Sequence, residues 1–149
     1  MAIYFLDTSA LVKRYVQETG TSWIQNLCIP TVAHSLVIAR ITLPETVSAV
    51  TRRERSGGIL PADAITALTD FQHDFDRQFL IVEISSRLLN RAAALTRKYG
   101  LRAYDAVQLA AALEVRAADP STTLVSADTD LNAAASAESL TLEDPNAHP

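Results

Sequence analysis

Ile3-Tyr4-Phe5-Leu6, an unbroken apolar run, is followed at once by Asp7-Thr8-Ser9 and then by Ala10-Leu11-Val12. Four apolar residues without alternation mark a strand covered on both faces, as in a parallel sheet. Asp, Thr and Ser cap helix amino termini, so this strand turns directly into a helix. The same step recurs along the chain. Thr21 to Leu27 reads as a second helix and Ser35 to Thr42 as a second strand. A third helix follows Pro44, suited to a first turn, and runs to Arg55 before Gly57-Gly58 stops it. Pro61 opens a fourth, with Ile65, Leu68, Phe71, Phe75 and Phe79 as its apolar stripe. Then come a strand at Leu80–Glu83, a helix from Ser86 to Tyr99 ended by Gly100, and an alanine-rich helix from Tyr104 to Ala118. A strand at Thr122–Val125, a short helix at Asp130–Ala137 and an edge strand at Leu140–Leu142 complete the series. The tail from Asp144 to Pro149 reads as disordered. Strands separated by helices specify βαβ units. The expected fold is therefore α/β, a three-layer α/β/α sandwich around a mainly parallel sheet of about five strands. One domain spans residues 1–143, and 144–149 is the tail.

Composition fits this reading. The chain has 149 residues, 48% hydrophobic and 20% charged, enough for one core and too apolar for wholesale disorder. Cys28 is the sole cysteine, which excludes an internal disulfide. Beside Ile29-Pro30 and with no histidine motif nearby, it reads as a buried small hydrophobe. His34, His73 and His148 are scattered, with none of the spacings that hold zinc. No apolar run approaches the ~20 residues of a membrane span. No basic segment precedes the first apolar stretch, so no signal peptide is read and a soluble, cytoplasmic protein without a membrane partner is expected. The net charge of −4 is unevenly spread. Residues 40–102 carry a net +3 and residues 103–149 a net −7, so a basic face can lie beside an acidic site.

Four carboxylates stand where elements meet. Asp7 follows the first strand, Glu45 lies in the first turn after the second, Asp105 begins the alanine-rich helix, and Asp128 follows Leu124-Val125. Ligands of open parallel sheets bind outside the carboxyl ends of strands; Asp7, Glu45 and Asp128 follow strands and can converge there, and Asp105 shares the helix-start position. Taken singly, each has a plainer role: Asp7 and Asp128 as caps, Glu45 and Asp105 as partners of a helix dipole. Together they need a counter-charge, because two carboxylates ~4 Å apart repel by about 4 kcal/mol at an effective dielectric near 20. A divalent cation answers that need. Oxygen ligands without cysteine or histidine favour Mg²⁺ or Mn²⁺.

With their flanks these residues resemble the PIN-domain family, and within it the VapC-like toxins of bacterial toxin–antitoxin pairs. The matching pieces are Tyr4-Phe5-Leu6-Asp7-Thr8-Ser9-Ala10-Leu11-Val12-Lys13 and Leu43-Pro44-Glu45-Thr46-Val47-Ser48-Ala49-Val50. They continue with Leu101-Arg102-Ala103-Tyr104-Asp105-Ala106-Val107-Gln108-Leu109-Ala110-Ala111-Ala112 and Leu124-Val125-Ser126-Ala127-Asp128-Thr129-Asp130-Leu131. Each piece is weakly specific alone; the ordered set, spanning nearly the whole chain, is specific. The resemblance implies a metal-dependent endoribonuclease, the toxin of a pair, silenced by a cognate antitoxin whose basic side chain enters the acidic pocket. It also implies a homodimer.

Position by position, Asp7, Glu45 and Asp105 match the family's three acidic metal-site residues, and Asp128 its more variable fourth. Asp130 is expected to face elsewhere. Ser9 and Ser126 match hydroxyl residues lining the same pocket. Such carboxylates hold Mg²⁺ or Mn²⁺, which activates water and offsets charge on a phosphodiester.

Arg52 and Arg53, at the end of the helix that carries Glu45, are candidate RNA contacts, as is Lys13 near Asp7. Basic residues in a helix's last turn also complement its dipole, and Lys13 with Arg14 also fits a solvated face. Trp23, Tyr15 and the phenylalanines of the fourth helix read as packing, with part of that stripe available to a partner. A phosphatase of the haloacid dehalogenase type needs a second Asp two residues after the first, where Ser9 stands. The alternative from another class is a catalytically idle PIN-like module that binds RNA or protein.

Overall fold

The computed structural model describes residues 2–149. Five strands, β1 (Ala2–Leu6), β2 (His34–Ala39), β3 (Leu80–Val82), β4 (Thr122–Val125) and β5 (Thr141–Glu143), form one sheet. Their order is β3-β2-β1-β4-β5, and every adjacent pair is parallel. The helices are α1 (Thr8–Leu11), α2 (Thr21–Leu27), α3 (Thr42–Arg55), α4 (Pro61–Arg77), α5 (Ser86–Tyr99), α6 (Ala103–Ala118) and α7 (Thr129–Ala137). Short 3₁₀ turns cover Val12–Arg14 and Pro145–Ala147.

Both faces of the sheet are buried, which is why its strands read as continuous apolar runs. Phe5, Val37, Ala39 and Leu124 point to one face, against Leu88, Ala92 and Leu95 of α5, the small residues of α6, and Leu131 and Ala135 of α7. Leu6, Leu36, Ile38 and Val125 point to the other, against Leu11, Ile24, Phe71, Phe75 and Phe79. Alanines at positions 106 and 110–112 are buried almost completely, so α6 sits close against its neighbours. A third cluster, Val12, Val16, Ala49, Val50, Ala64 and Ala67, ties α3 and α4 to the 3₁₀ turn beside the sheet. This is the expected three-layer α/β/α sandwich.

Three local expectations are corrected. Strand β2 ends at Ala39, not Thr42, because Ile41 already takes helical dihedrals and α3 starts at Thr42. Ile65 is 67% exposed and outside the apolar stripe of α4. At 100° per residue it lies about 120° around the helix from Phe71, whereas Ala64, Ala67 and Phe75 share its buried side. The tail expected to be disordered is built into the fold. Asp144 caps a 3₁₀ turn by accepting from Asn146 N at 2.8 Å, Pro145 is buried, and the His148 ring stacks on Trp23 at 4.4 Å. Gly20 makes room for it. Its φ of +88° and missing side chain let Pro145 O lie 2.3 Å from where a Cβ would be.

Candidate active site

The strand order reverses between β1 and β4, since β2 and β3 extend from one side of β1 while β4 and β5 extend from the other. At such a switch point the connections leave in opposite directions and open a crevice at the strands' carboxyl ends. Asp7 sits there, its backbone N–H continuing the sheet ladder to Val125 O at 3.0 Å. Asp128 follows β4. Glu45 enters from the first turn of α3 and Asp105 from the first turn of α6. All four line one cavity of about 640 Å³, together with Ser9, Lys13, Glu18, Arg52, Arg53, Tyr104 and Asn146. The sequence reading brought the same four carboxylates to one edge.

Asp7 and Asp128 are helix caps and cavity-lining residues at once. Asp7 caps α1, its Oδ2 accepting from Ser9 N at 3.1 Å and Ser9 Oγ at 2.5 Å. Asp128 caps α7, its Oδ1 accepting from Leu131 N at 2.9 Å. Serine or threonine would cap as well. Only a carboxylate caps with one oxygen and keeps a second anionic oxygen for the cavity. Ser9 and Ser126 fasten this corner. Ser9 Oγ accepts from Ala127 N at 3.0 Å, and Ser126 Oγ accepts from Asp128 N at 3.2 Å while lying 3.4 Å from Asp7 Oδ2. Ser126 is buried behind the cavity wall, and Ser9 is part of it.

Glu45 is held by residues to which the sequence reading gave no role. Gln108, completely buried in the alanine-rich face of α6, donates from Nε2 to Glu45 Oε1 at 2.8 Å and to Thr42 Oγ1 at 3.0 Å. Thr8 Oγ1 donates to the same Glu45 oxygen at 3.1 Å. One amide thus links α6, α3 and α1. The signal for it was a lone polar residue inside Ala106–Ala112.

Three of these acids, Asp7, Glu45 and Asp105, are raised above the ordinary carboxylate range. Burial, with Glu45 and Asp128 adding repulsion, pushes the Asp7 carboxyl up to about 6 although its bonds to Ser9 oppose the shift. Burial, then the charges of Asp128 and Asp7, lifts Asp105 to about 6 as well. Glu45 is raised, chiefly by burial, against its bonds from Gln108 and Thr8. Asp105 has neither a hydrogen bond nor an ion pair among the described residues.

Among those residues no three His, Cys, Asp or Glu side chains are drawn tightly enough together to cage a metal ion by themselves. The donor set still fits a hard divalent cation, which prefers oxygen and favours the charged form that burial and mutual repulsion disfavour in Asp7, Glu45 and Asp105. Asp130 is exposed and outside the cavity lining.

Lys13, Arg52 and Arg53 form a basic wall of the same cavity, and two of the three are paired. Lys13 is buried and its Nζ lies 3.2 Å from Glu18 Oε2, while Arg53 pairs with the other oxygen of the same glutamate. Lys13 is thus no part of a solvated face. Arg52 lines the cavity and has no ion-pair partner among the described residues, though its charge reaches Glu45. Glu18 was not singled out from sequence, because its pairing with Arg53 exists only once α3 packs on the turn after α1. Asn146, from the ordered tail, forms a third side. Cys28 lies far from this chemistry in a second apolar cluster, its thiol pushed up to about 11 by burial.

The family model that matches this chain is the PIN domain, over residues 4–137. The chain belongs to the PIN-domain family. Ribonuclease VapC45 of Mycobacterium tuberculosis is 30% identical to this PIN domain over 115 residues, covering 77% of the chain and 78% of that relative. Among solved structures, M. tuberculosis VapC20, described as a toxin that cleaves the sarcin-ricin loop, superposes with a TM-score of 0.65 at 16% identity, covering 88% of this chain and 94% of its own. VapBC2 of Rickettsia felis, solved bound to a DNA fragment from its promoter, gives a TM-score of 0.63 at 18% identity, with 95% and 98% covered. No helix of the described residues is long and apolar enough to cross a membrane.

Proposed function

We propose that this PIN domain is a metal-dependent endoribonuclease that hydrolyses RNA phosphodiester bonds as the cytoplasmic toxin of a toxin–antitoxin pair. The observation that carries this reading is the convergence of Asp7, Glu45, Asp105 and Asp128 on one cavity at the β1–β4 switch point, with two of them lifted to about 6. A relative named as a VapC ribonuclease and a structural neighbour titled as a toxin–antitoxin complex support it.

In this reading the four carboxylates would hold Mg²⁺ or Mn²⁺, which would supply activation of water and offset charge on the scissile phosphate. The chain's own residues do the rest. Ser9 and Ser126 fix the Asp7 carboxylate, and Gln108 with Thr8 fixes Glu45, so the oxygens need little reorganisation when substrate arrives. Arg52, the one cavity-lining cation without an ion-pair partner among the described residues, meets the RNA backbone, with Arg53 and Lys13, which pair with Glu18, as further candidates. Contacts of this kind bind in a salt-dependent way without choosing sequence. A cognate antitoxin silences the site by placing a basic side chain among the acids, and the toxin acts as a homodimer.

The test uses purified protein freed of antitoxin. RNA is cut with Mg²⁺ or Mn²⁺ and left intact in EDTA, and Asp105→Asn abolishes cutting in either metal. RNA binding without cleavage in both metals contradicts the proposal and favours an idle binding module.

A further inference from the structure

Tyr104 is 62% exposed, yet it stands in the first turn of α6 next to Asp105. Of the large apolar side chains that are exposed among the described residues, it is the one that lines the acidic cavity; Leu60, Ile65 and Leu80 lie outside it. Its ring has no aromatic or cationic partner among the described residues, and its hydroxyl makes no hydrogen bond there. By contrast Tyr4, Tyr15 and Tyr99 each have a ring partner. The cavity it lines carries the charges of Asp105, Glu45, Asp128 and Arg52 beside smaller apolar side chains such as Pro44 and Ala49. A ring this exposed contributes little to the core, and among the exposed large apolar side chains of the described residues no other lines this cavity, so the ring does not extend into a contiguous apolar patch there. A nucleobase is the ligand that combines a flat apolar face with a charged backbone.

We propose that Tyr104 is the platform on which a base of the RNA stacks beside the scissile phosphate, while Arg52 meets the backbone. The inference rests on the ribonuclease reading and deepens it. Stacking of this kind tolerates every base, so Tyr104 sets where along the strand the phosphate stops rather than which letter is read. Loss of one base–aromatic stack costs ~1–3 kcal/mol, which is roughly a 5- to 150-fold loss of affinity.

The experiment pairs protein and substrate changes. A short single-stranded RNA containing a mapped cleavage site is made intact and with one abasic nucleotide at each position around that site. Binding is measured by fluorescence anisotropy in EDTA and cleavage in Mn²⁺, for wild type, Tyr104→Ala and Tyr104→Phe. The expected result is a drop in EDTA binding for Tyr104→Ala, rescue by Tyr104→Phe, and one abasic position that weakens wild type but leaves Tyr104→Ala no worse. The inference is overturned if Tyr104→Ala binds and cuts like wild type, or if every abasic position weakens both proteins equally. It is also overturned if only antitoxin binding is lost, which would assign the ring to a protein interface. Wild type that neither binds nor cuts RNA removes the ribonuclease reading itself.

Discussion

Two walls of one cavity treat charge in opposite ways. On the basic wall Glu18 sits between Lys13 and Arg53, so a buried lysine has its counter-ion in place. On the acidic wall Asp7, Glu45 and Asp128 accept hydrogen bonds from hydroxyls, an amide and backbone N–H groups, Asp105 accepts none, and no cation forms an ion pair with any of the four among the described residues. The first arrangement is complete in the protein alone. The second has no such counter-charge among the described residues, and under the proposed function a bound cation supplies it. The difference teaches that a folded chain tolerates an uncompensated cluster only where function selects for it, since the same sequence compensates its neighbour.

The largest expected effect comes from breaking the acidic wall. Asp105→Asn and Asp7→Asn should each lower metal-dependent RNA cleavage at least a hundredfold, about 2.7 kcal/mol or more of transition-state stabilisation. Retention of more than a tenth of wild-type cleavage by either variant would contradict the assignment.

Breaking the basic wall should instead cost stability. Glu18→Ala leaves the Lys13 ammonium buried without its partner, and truncating one member of a buried pair costs about 3–5 kcal/mol. Because Glu18 is itself partly exposed, about 2–3 kcal/mol is the expected loss in urea unfolding. A change below 0.5 kcal/mol would mean the two walls do not differ as described.

The acidic wall should show the reverse sign in metal-free protein. The folded Asp7 carboxyl at about 6 binds its proton more tightly than the ordinary 3.8. Between those values the native state holds more protons than the unfolded one, so stability rises as pH falls from 7 through 6 towards 4. The gap corresponds to at most ~3 kcal/mol, and ~1–2 kcal/mol is the expected gain. Glu138, held down by the Tyr99 hydroxyl and Lys98, runs the other way, so the quantity to measure is wild type against Asp7→Asn. In EDTA the variant should be the more stable at pH 7.5 and lose that advantage at pH 5. An equal difference at both values would refute the charge argument.

The smallest effect concerns the third side. Gly20→Ala forces a Cβ into Pro145 O and a positive φ onto alanine, a strain of ~1–2 kcal/mol. The 3₁₀ turn that carries Asn146 should loosen, exposing the stacked face of Trp23, the only tryptophan. A red shift of its emission checks this; unchanged emission would show the tail seated by other contacts.

The fold was legible because its signals are local. A strand buried on both faces announces itself as Ile3-Tyr4-Phe5-Leu6, and Gly100 or Pro61 punctuates a helix wherever the chain folds. The four acids were legible for the same reason, since each lies at a strand end or a helix start. What escaped depends on distant pairs. Glu18 meets Arg53 across 35 positions, and Gln108 meets Glu45 across 63. The tail escaped because polar, proline-bearing ends are usually free, and the glycine that seats it is 125 residues earlier. Ile65 failed on phase, a stripe drawn by spacing without following the angle.

The central claim is that the acidic wall requires a cation, and calorimetric titration of Mn²⁺ into antitoxin-free protein at pH 7.5 tests it most directly. Saturable binding that disappears in both Asp7→Asn and Asp105→Asn, with Glu18→Gln binding as wild type does, is the predicted result. No saturable binding to wild type, or binding that survives both aspartate substitutions, would contradict the account.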